Sequence, residues 1–445
     1  MKTFAAAACA ALLATATAAH ADADKEWADC TGKNDVAPEA AIAACTARIV
    51  SGQESADNLA TAHFDRGLSE IALKRDGEAL EDFNQAIALN PSKGKYYAER
   101  AKVSHDLGLN DAAQADVDHA IALDPKDTFA RRLHGIINAA SDRYPDAVTD
   151  YTAGLAIDPN DALTLFDRAL AYHHLKLNDL SMADYDAAIA LKPDMFEAYG
   201  GRGIVYVDLG KLDLAIDDFS HAIALNANYA PGYNNRCAAY HGAGKDDLAI
   251  ADCNKSLALD PVAFTSHTTL GHIYRARKDY DQALSHYNEA LRLRPDHAPA
   301  LLGRGFVYDK RRDYAASVAD YTAYLALRPD TAAGYESRCW VRAEWNHDLN
   351  DALVDCNKAL EMRPNNAPVI EMRAFVQFRL GNYTAAQADC DAALALNPNR
   401  PDALFIRGLA KIKNGDADGG KTDIDAALAV RPDIATVYAG YGVKS

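Results

Sequence analysis

Small and apolar residues return along this chain with a fixed spacing. The prolines make the period visible: Pro91, Pro125, Pro159, Pro193, Pro261, Pro295, Pro329, Pro364, Pro398 and Pro432 follow one another at intervals of 34, 34, 34, 68, 34, 34, 35, 34 and 34 residues. Asn226-Ala227 occupies the site missing from the long interval. Self-similarity of this kind marks stacked supersecondary units. With each proline as position 32, small residues recur near positions 8, 20 and 27 and a ring at position 24. In the fifth unit these are Gly203, Ala215, Ala222 and Phe219, with Tyr199 and Tyr206 at positions 4 and 11. The spacing 20, 24, 27 puts three side chains on one helical face. Each unit therefore predicts two antiparallel amphipathic helices that approach closely through small residues, with the ring filling the gap. The proline ends the second helix, because its ring clashes with a preceding carbonyl and turns its neighbour away from helical backbone.

This pattern resembles the tetratricopeptide repeat, a 34-residue helix-turn-helix family, here of a bacterial periplasmic or secreted type. Eleven units cover roughly residues 58–433. Departures are mild: Ala227 for proline, Gly154 and Tyr324 at position 27, and one extra residue in the ninth unit near Asn346-His347, expected to lengthen the inter-helix turn. The resemblance implies an all-α fold, an α-solenoid of antiparallel hairpins forming a right-handed superhelix whose first helices line the concave wall. The energetics agree, since no unit can bury its own apolar face without a stacked neighbour. Residues 22–57 are expected to form an N-terminal capping segment, and residues 434–445 a partial C-terminal capping helix, with Tyr438 at position 4 and Gly442 at position 8.

Two further patterns emerge when the units are compared with one another. Position 7 is arginine in nine units (Arg66, Arg100, Arg168, Arg202, Arg236, Arg304, Arg338, Arg373 and Arg407), and position 23 is aspartate in ten; the seventh unit loses both, with Leu270 and His286. In an antiparallel hairpin these positions lie at nearly the same height. A bidentate Arg–Asp pair is favoured over an arginine ladder for an anionic ligand. The cysteines follow the same register. Cys237 and Cys253 hold positions 8 and 24 of the sixth unit, and Cys339 and Cys356 the same positions in the ninth, facing each other across the hairpin. With Cys30 and Cys45 they give three expected disulfides, leaving Cys390 unpaired because Ala374 stands opposite. Buried free thiols are the alternative. No C-x-x-C is present for zinc or for redox chemistry.

Composition then narrows location and partners. Residues 1–21 read as a secretory signal peptide: Lys2, an apolar stretch from Phe4 to Ala18, and a small-x-small cleavage site at Ala19-His20-Ala21. The expectation is a periplasmic or secreted protein, in a compartment where disulfides persist. The formal net charge is −17, which repels phosphate backbones and anionic lipids, so nucleic-acid binding is not expected. Beyond the leader no apolar run reaches the roughly 18 residues that span a bilayer, and stable membrane insertion is not expected.

Motifs for chemistry are weak. Gly415 to Thr422 fits G-x-x-x-x-G-K-T, but a helical segment precedes it where a phosphate loop needs a strand. The overlapping Asn414, Asp416, Asp418 and Asp425 resemble an EF-hand loop, with Lys421 in an apolar place and Asp425 replacing the bidentate glutamate. They form a minor calcium candidate against a solvated acidic turn. Neither H-E-x-x-H nor G-x-S-x-G occurs, so no enzyme and no cofactor are expected.

The expected function is a non-enzymatic interaction scaffold of the cell envelope, binding an extended peptide or partner helix of one or more envelope proteins. A small-ligand or calcium-binding envelope protein, or a self-assembling solenoid, is the alternative. In the family it resembles, positions 2, 5, 9, 12 and 13 of each first helix face the groove. In the middle of the chain these are bland. From the eighth unit they become Leu302, Phe306, Trp340, Phe375, Phe378, Phe405, Leu409 and Ile412, interspersed with Lys310, Glu336, Glu344, Glu371, Arg379 and Lys413. A contiguous apolar stripe at ligand-facing positions suggests an interaction surface, with Trp340 and Phe375 as anchors. Packing of these rings between neighbouring first helices is the competing reading. The asparagine and lysine that clamp a terminal carboxylate elsewhere in the family are not matched as a set.

Overall fold

The computed structural model describes residues 24–443, and the expected leader lies outside them. Every regular element in the described residues is a helix. The chain divides into two compact bodies, ending and beginning at Leu225 and Asn226. Each is an α-solenoid of antiparallel hairpins.

The N-terminal body opens with a short helix over residues 24–30 and the helix Pro38–Val50. Five hairpins follow, the first being Ala56–Ala72 with Asp76–Leu89 and the fifth Phe196–Asp208 with Leu212–Leu225. The C-terminal body holds six hairpins, from Ala230–Gly242 with Asp246–Leu259 to Pro401–Lys413 with Ala417–Val430, and ends in the helix Ile434–Gly440. Within each body successive first helices touch one another, without comparable contact between second helices. The first-helix side is therefore the inner one.

Position 8 must be small because of the ring at position 24. A Cβ on Gly203 would stand 2.6 Å from the Phe219 ring, and one on Gly271 would stand 2.6 Å from that of Tyr287. The next unit closes on the same ring: a Cβ on Gly303, at position 6, would meet Tyr287 at 2.4 Å. The Tyr287 ring is thus clamped between its own hairpin and the following one, and is fully buried. This contact stacks the units. The turn between helices uses a left-handed residue at position 15, such as Gly210, Gly244 and Lys278. In the ninth unit the extra residue gives two, Asn346 and Asp348, and the turn is longer as expected.

Candidate functional site

The Arg–Asp pairs come first because they decide whether the arginines are available to a ligand. In all nine units with arginine at position 7, Nε and one terminal nitrogen donate to the two carboxylate oxygens of position 23, at 2.6 to 2.9 Å. Within each body the other terminal nitrogen reaches back to the preceding second helix. Arg100 donates to Asn84, Arg202 to Asp186, Arg304 to Asn288 and Arg407 to Asp391, at 2.6 to 2.8 Å. The hydrogen bond to aspartate raises the arginine pKa further. Within each body the guanidinium is consumed in tying its hairpin to the preceding one. The backward partner at position 25 was not foreseen, although the Thr, Asn and Asp residues there could have signalled it. Even the N-terminal segment obeys this register, with Arg66 donating to Thr46 of Pro38–Val50 at 3.0 Å.

The cysteines occupy the same core slot as the glycine–ring pair. The structure brings Cys30 to Cys45, Cys237 to Cys253 and Cys339 to Cys356, with S–S distances of 2.12, 1.99 and 2.09 Å. Cys390 is free and buried, and burial pushes its thiol well above the ordinary value.

The acidic segment near the C-terminus does not form a calcium loop. Asn414 ends the helix Pro401–Lys413 and donates to Gln387, while the Asp416 carboxylate caps the next helix by accepting from the Gly419 amide at 2.9 Å. Asp418 and Asp425 then lie along Ala417–Val430. A helix from residue 417 leaves no twelve-residue loop to wrap an ion, which corrects the calcium candidate. The two glycines of the phosphate-loop match serve packing: a Cβ on Gly420 would stand 2.6 Å from the Gly408 carbonyl oxygen.

The expected groove residues all belong to the C-terminal body, and the structure separates them into two groups. Phe375 and Phe405 are core, each 1% exposed. The C-terminal helix lays Tyr438 against both, with ring centroids 5.2 and 5.1 Å away. Tyr441 follows, 6.0 Å from Trp340, and its carbonyl accepts from Arg379, whose guanidinium stacks over Phe375 at 4.7 Å. The expected open anchor at Phe375 is thus corrected: a segment more than sixty residues later in the chain covers it. Phe378 packs on Tyr383, and Glu371 pairs with Arg400 at 2.7 Å. Trp340 stays half-buried at the edge of a cavity of about 320 Å³, shared with Glu371, Met372, Arg400, Val437 and Tyr441. Glu344 lies beside Asp309, Lys310 and Tyr441. Burial first, then the Asp309 carboxylate, pushes its pKa up to about 7.

The second group remains accessible. Phe306 is 36% exposed, with Leu302 half-buried one turn before it. Arg275, from the preceding first helix, and Lys310 both stand over the Phe306 ring at 5.2 Å. Lys310 also bonds Asp309 at 2.9 Å. Among the described residues no carboxylate lies within ion-pairing distance of Arg275. Arg275 escaped the sequence reading because the neighbouring groove positions are bland, although it holds position 12 of its unit.

Three family models described as tetratricopeptide repeat match the chain, at residues 60–93, at 134–196, 158–232 and 372–419, and at 270–334. Together they cover more than half of it. The chain is 33% identical over 97 residues to the "Small glutamine-rich tetratricopeptide repeat-containing protein 2" of Mycosarcoma maydis, which is 21% of this chain and 27% of that protein. It is 30% identical over 103 residues to the "Hsp70-Hsp90 organizing protein" of Triticum aestivum, 23% of this chain and 18% of that one. It thus spans well under a third of the length of these curated relatives. Among solved structures, that titled "Crystal structure of APC/C hetero-tetramer Cut9-Hcn1" aligns over 89% of both chains at 15% identity, with a TM-score of 0.49.

Proposed function

We propose, given that the chain belongs to the tetratricopeptide repeat family, that it is a non-enzymatic scaffold of the cell envelope that binds a partner polypeptide along the first helices of its C-terminal body. Proteins of this family are generally interaction scaffolds, and one relative is named for organising Hsp70 and Hsp90. The observation that carries the reading is the exposed Phe306, flanked by Arg275 and Lys310 on the inner side of the hairpins. An aromatic side chain beside cations suits a segment that pairs an apolar residue with a carboxylate. Exposed rings cost solubility unless something covers them, and Phe306 keeps 36% of its surface open. The half-open recess beside Trp340 supplies a second contact along the same row of first helices. The three cysteine pairs favour an oxidising compartment, where they would stay bonded.

The test is selection of a random peptide display library on the full chain, with the Phe306→Ala variant as counter-selection. The reading expects enriched peptides that carry an apolar residue beside an acidic one. Their affinity should fall about tenfold or more in Phe306→Ala, with an unchanged melting temperature, as a truncated hot-spot residue gives. Enriched peptides that bind both proteins equally would reject this surface.

A further inference from the structure

The seventh unit alone has neither half of the Arg–Asp clasp. Leu270 replaces the arginine and is fully buried, while His286 stands at the aspartate position. The opposing group is now His267, one turn earlier on the first helix. The two Nδ1 atoms lie 3.1 Å apart. Two neutral imidazoles at this separation share one proton, one ring donating and the other accepting.

We propose that His267 and His286 form a two-imidazole site for a late first-row divalent metal ion, with copper(II) the preferred occupant. Metal–nitrogen bonds of about 2.0–2.1 Å, meeting at 90–110°, span about 2.9–3.4 Å between ligand atoms. The observed separation falls inside that bite, so turning each lone pair by roughly 40° off the line between the two nitrogens turns a shared proton into a shared ion. The repeat supplies the reason that a cation is admitted here. In nine other units a guanidinium fills this place on the hairpin, but Leu270 contributes no charge. The charged groups that act on His267 are Glu289 and Arg292, and these pair with each other at 2.6 Å. Glu289 lies one helical turn beyond His286.

Other features prepare the two rings. The His286 ring stacks parallel on Tyr274, with centroids 5.5 Å apart and planes 5° apart, which restrains its orientation. Both rings are half-buried, and burial keeps them neutral, the form that binds metal. Water would complete the coordination. The preference for copper follows from the general rise of affinity along the late first-row divalent ions, with nickel and zinc weaker at the same imidazoles.

The full chain, titrated with copper(II) chloride at neutral pH, should take up one tight equivalent whose electron paramagnetic resonance spectrum carries coupling to two imidazole nitrogens. His267→Phe and His286→Asp should each weaken this equivalent by about a hundredfold, at the strong end of what metal-site changes cost, and His63→Phe should not. A variant with Leu270→Arg and His286→Asp restores the clasp of the other units, and should lose tight copper while keeping its melting temperature. Undiminished copper affinity in that variant, or a wild-type spectrum without imidazole coupling, would overturn the site.

Discussion

Arg202 shows how much one side chain can hold. It bonds Asp218 through two nitrogens at 2.8 and 2.7 Å and Asp186 of the preceding hairpin at 2.6 Å. Removing it leaves the Asp218 carboxylate buried without its partner. Arg202→Ala is expected to cost about 2 kcal/mol, reduced from the range for fully buried pairs because the guanidinium keeps some solvent. The double change with Asp218→Ala should cost less than the sum of the single changes. Denaturant unfolding in a double-mutant cycle checks this, and additive losses would mean that the pair contributes nothing as a pair. The Arg–Asp register was legible because eleven copies in one chain act as their own alignment. The backward bond to position 25 was not, since threonine, asparagine and aspartate there share a hydrogen-bonding role without sharing an identity. Glu344 offers a second test at this scale. Its pKa of about 7 lies above the ordinary 4.5, so the fold favours the neutral acid. The stability it lends is complete below the unfolded value and is lost as pH rises through the folded one. Glu344→Gln keeps a neutral group in place, and should leave stability unchanged near about pH 4 while raising it by about 1–2 kcal/mol near about pH 8. Thermal melts of both proteins across that range decide it, and equal gains at both ends would remove the role of ionisation.

At the scale of the helical hairpin, one slot accepts two solutions. Most units fill positions 8 and 24 with a small residue and a ring; the sixth and ninth fill them with two cysteines. The cysteine pairs therefore stand where the packing contact would otherwise be, and losing the bond leaves a hairpin without its ring. Closing a loop of about 15 residues adds about 3 kcal/mol in the chain-entropy account. Peptide mapping of the unreduced chain should find three bonded pairs with Cys390 free. Seven titratable thiols among residues 30–390 in denaturant would contradict this. The C-terminal helix marks the limit of what local pattern can tell. Tyr438 was legible as position 4 of a twelfth first helix. Its burial of Phe375 and Phe405 was not, because those rings also occupy positions expected to face the groove. Which role they take depends on a segment far along the chain. Tyr438 is 2% exposed between the two rings, so Tyr438→Ala is expected to cost about 3–5 kcal/mol, as large aromatic truncations in cores do. Calorimetry reads that loss directly, and a change under about 1 kcal/mol would show that the helix is not part of the core.

Over the whole chain, a formal charge of −17 accompanies a small set of apolar and cationic groups on the inner side of one body. An acidic exterior disfavours polyanions, and a local pair of cations beside Phe306 gives a carboxylate-bearing segment one place to settle. The repeat predicts the side of the hairpins that would face a partner, because successive first helices meet along it. It does not predict the exact residues, since the C-terminal helix and the Arg275 contact are properties of this chain. The central claim is that a partner polypeptide lies along those first helices. Hydrogen–deuterium exchange of the full chain, with and without a selected peptide, tests it most directly. Binding there should slow exchange in Phe264–Ala276, Ala298–Lys310 and Ala332–Trp345, with little change in the second helices that follow them. Protection confined to second helices, or to the N-terminal body, would contradict the account.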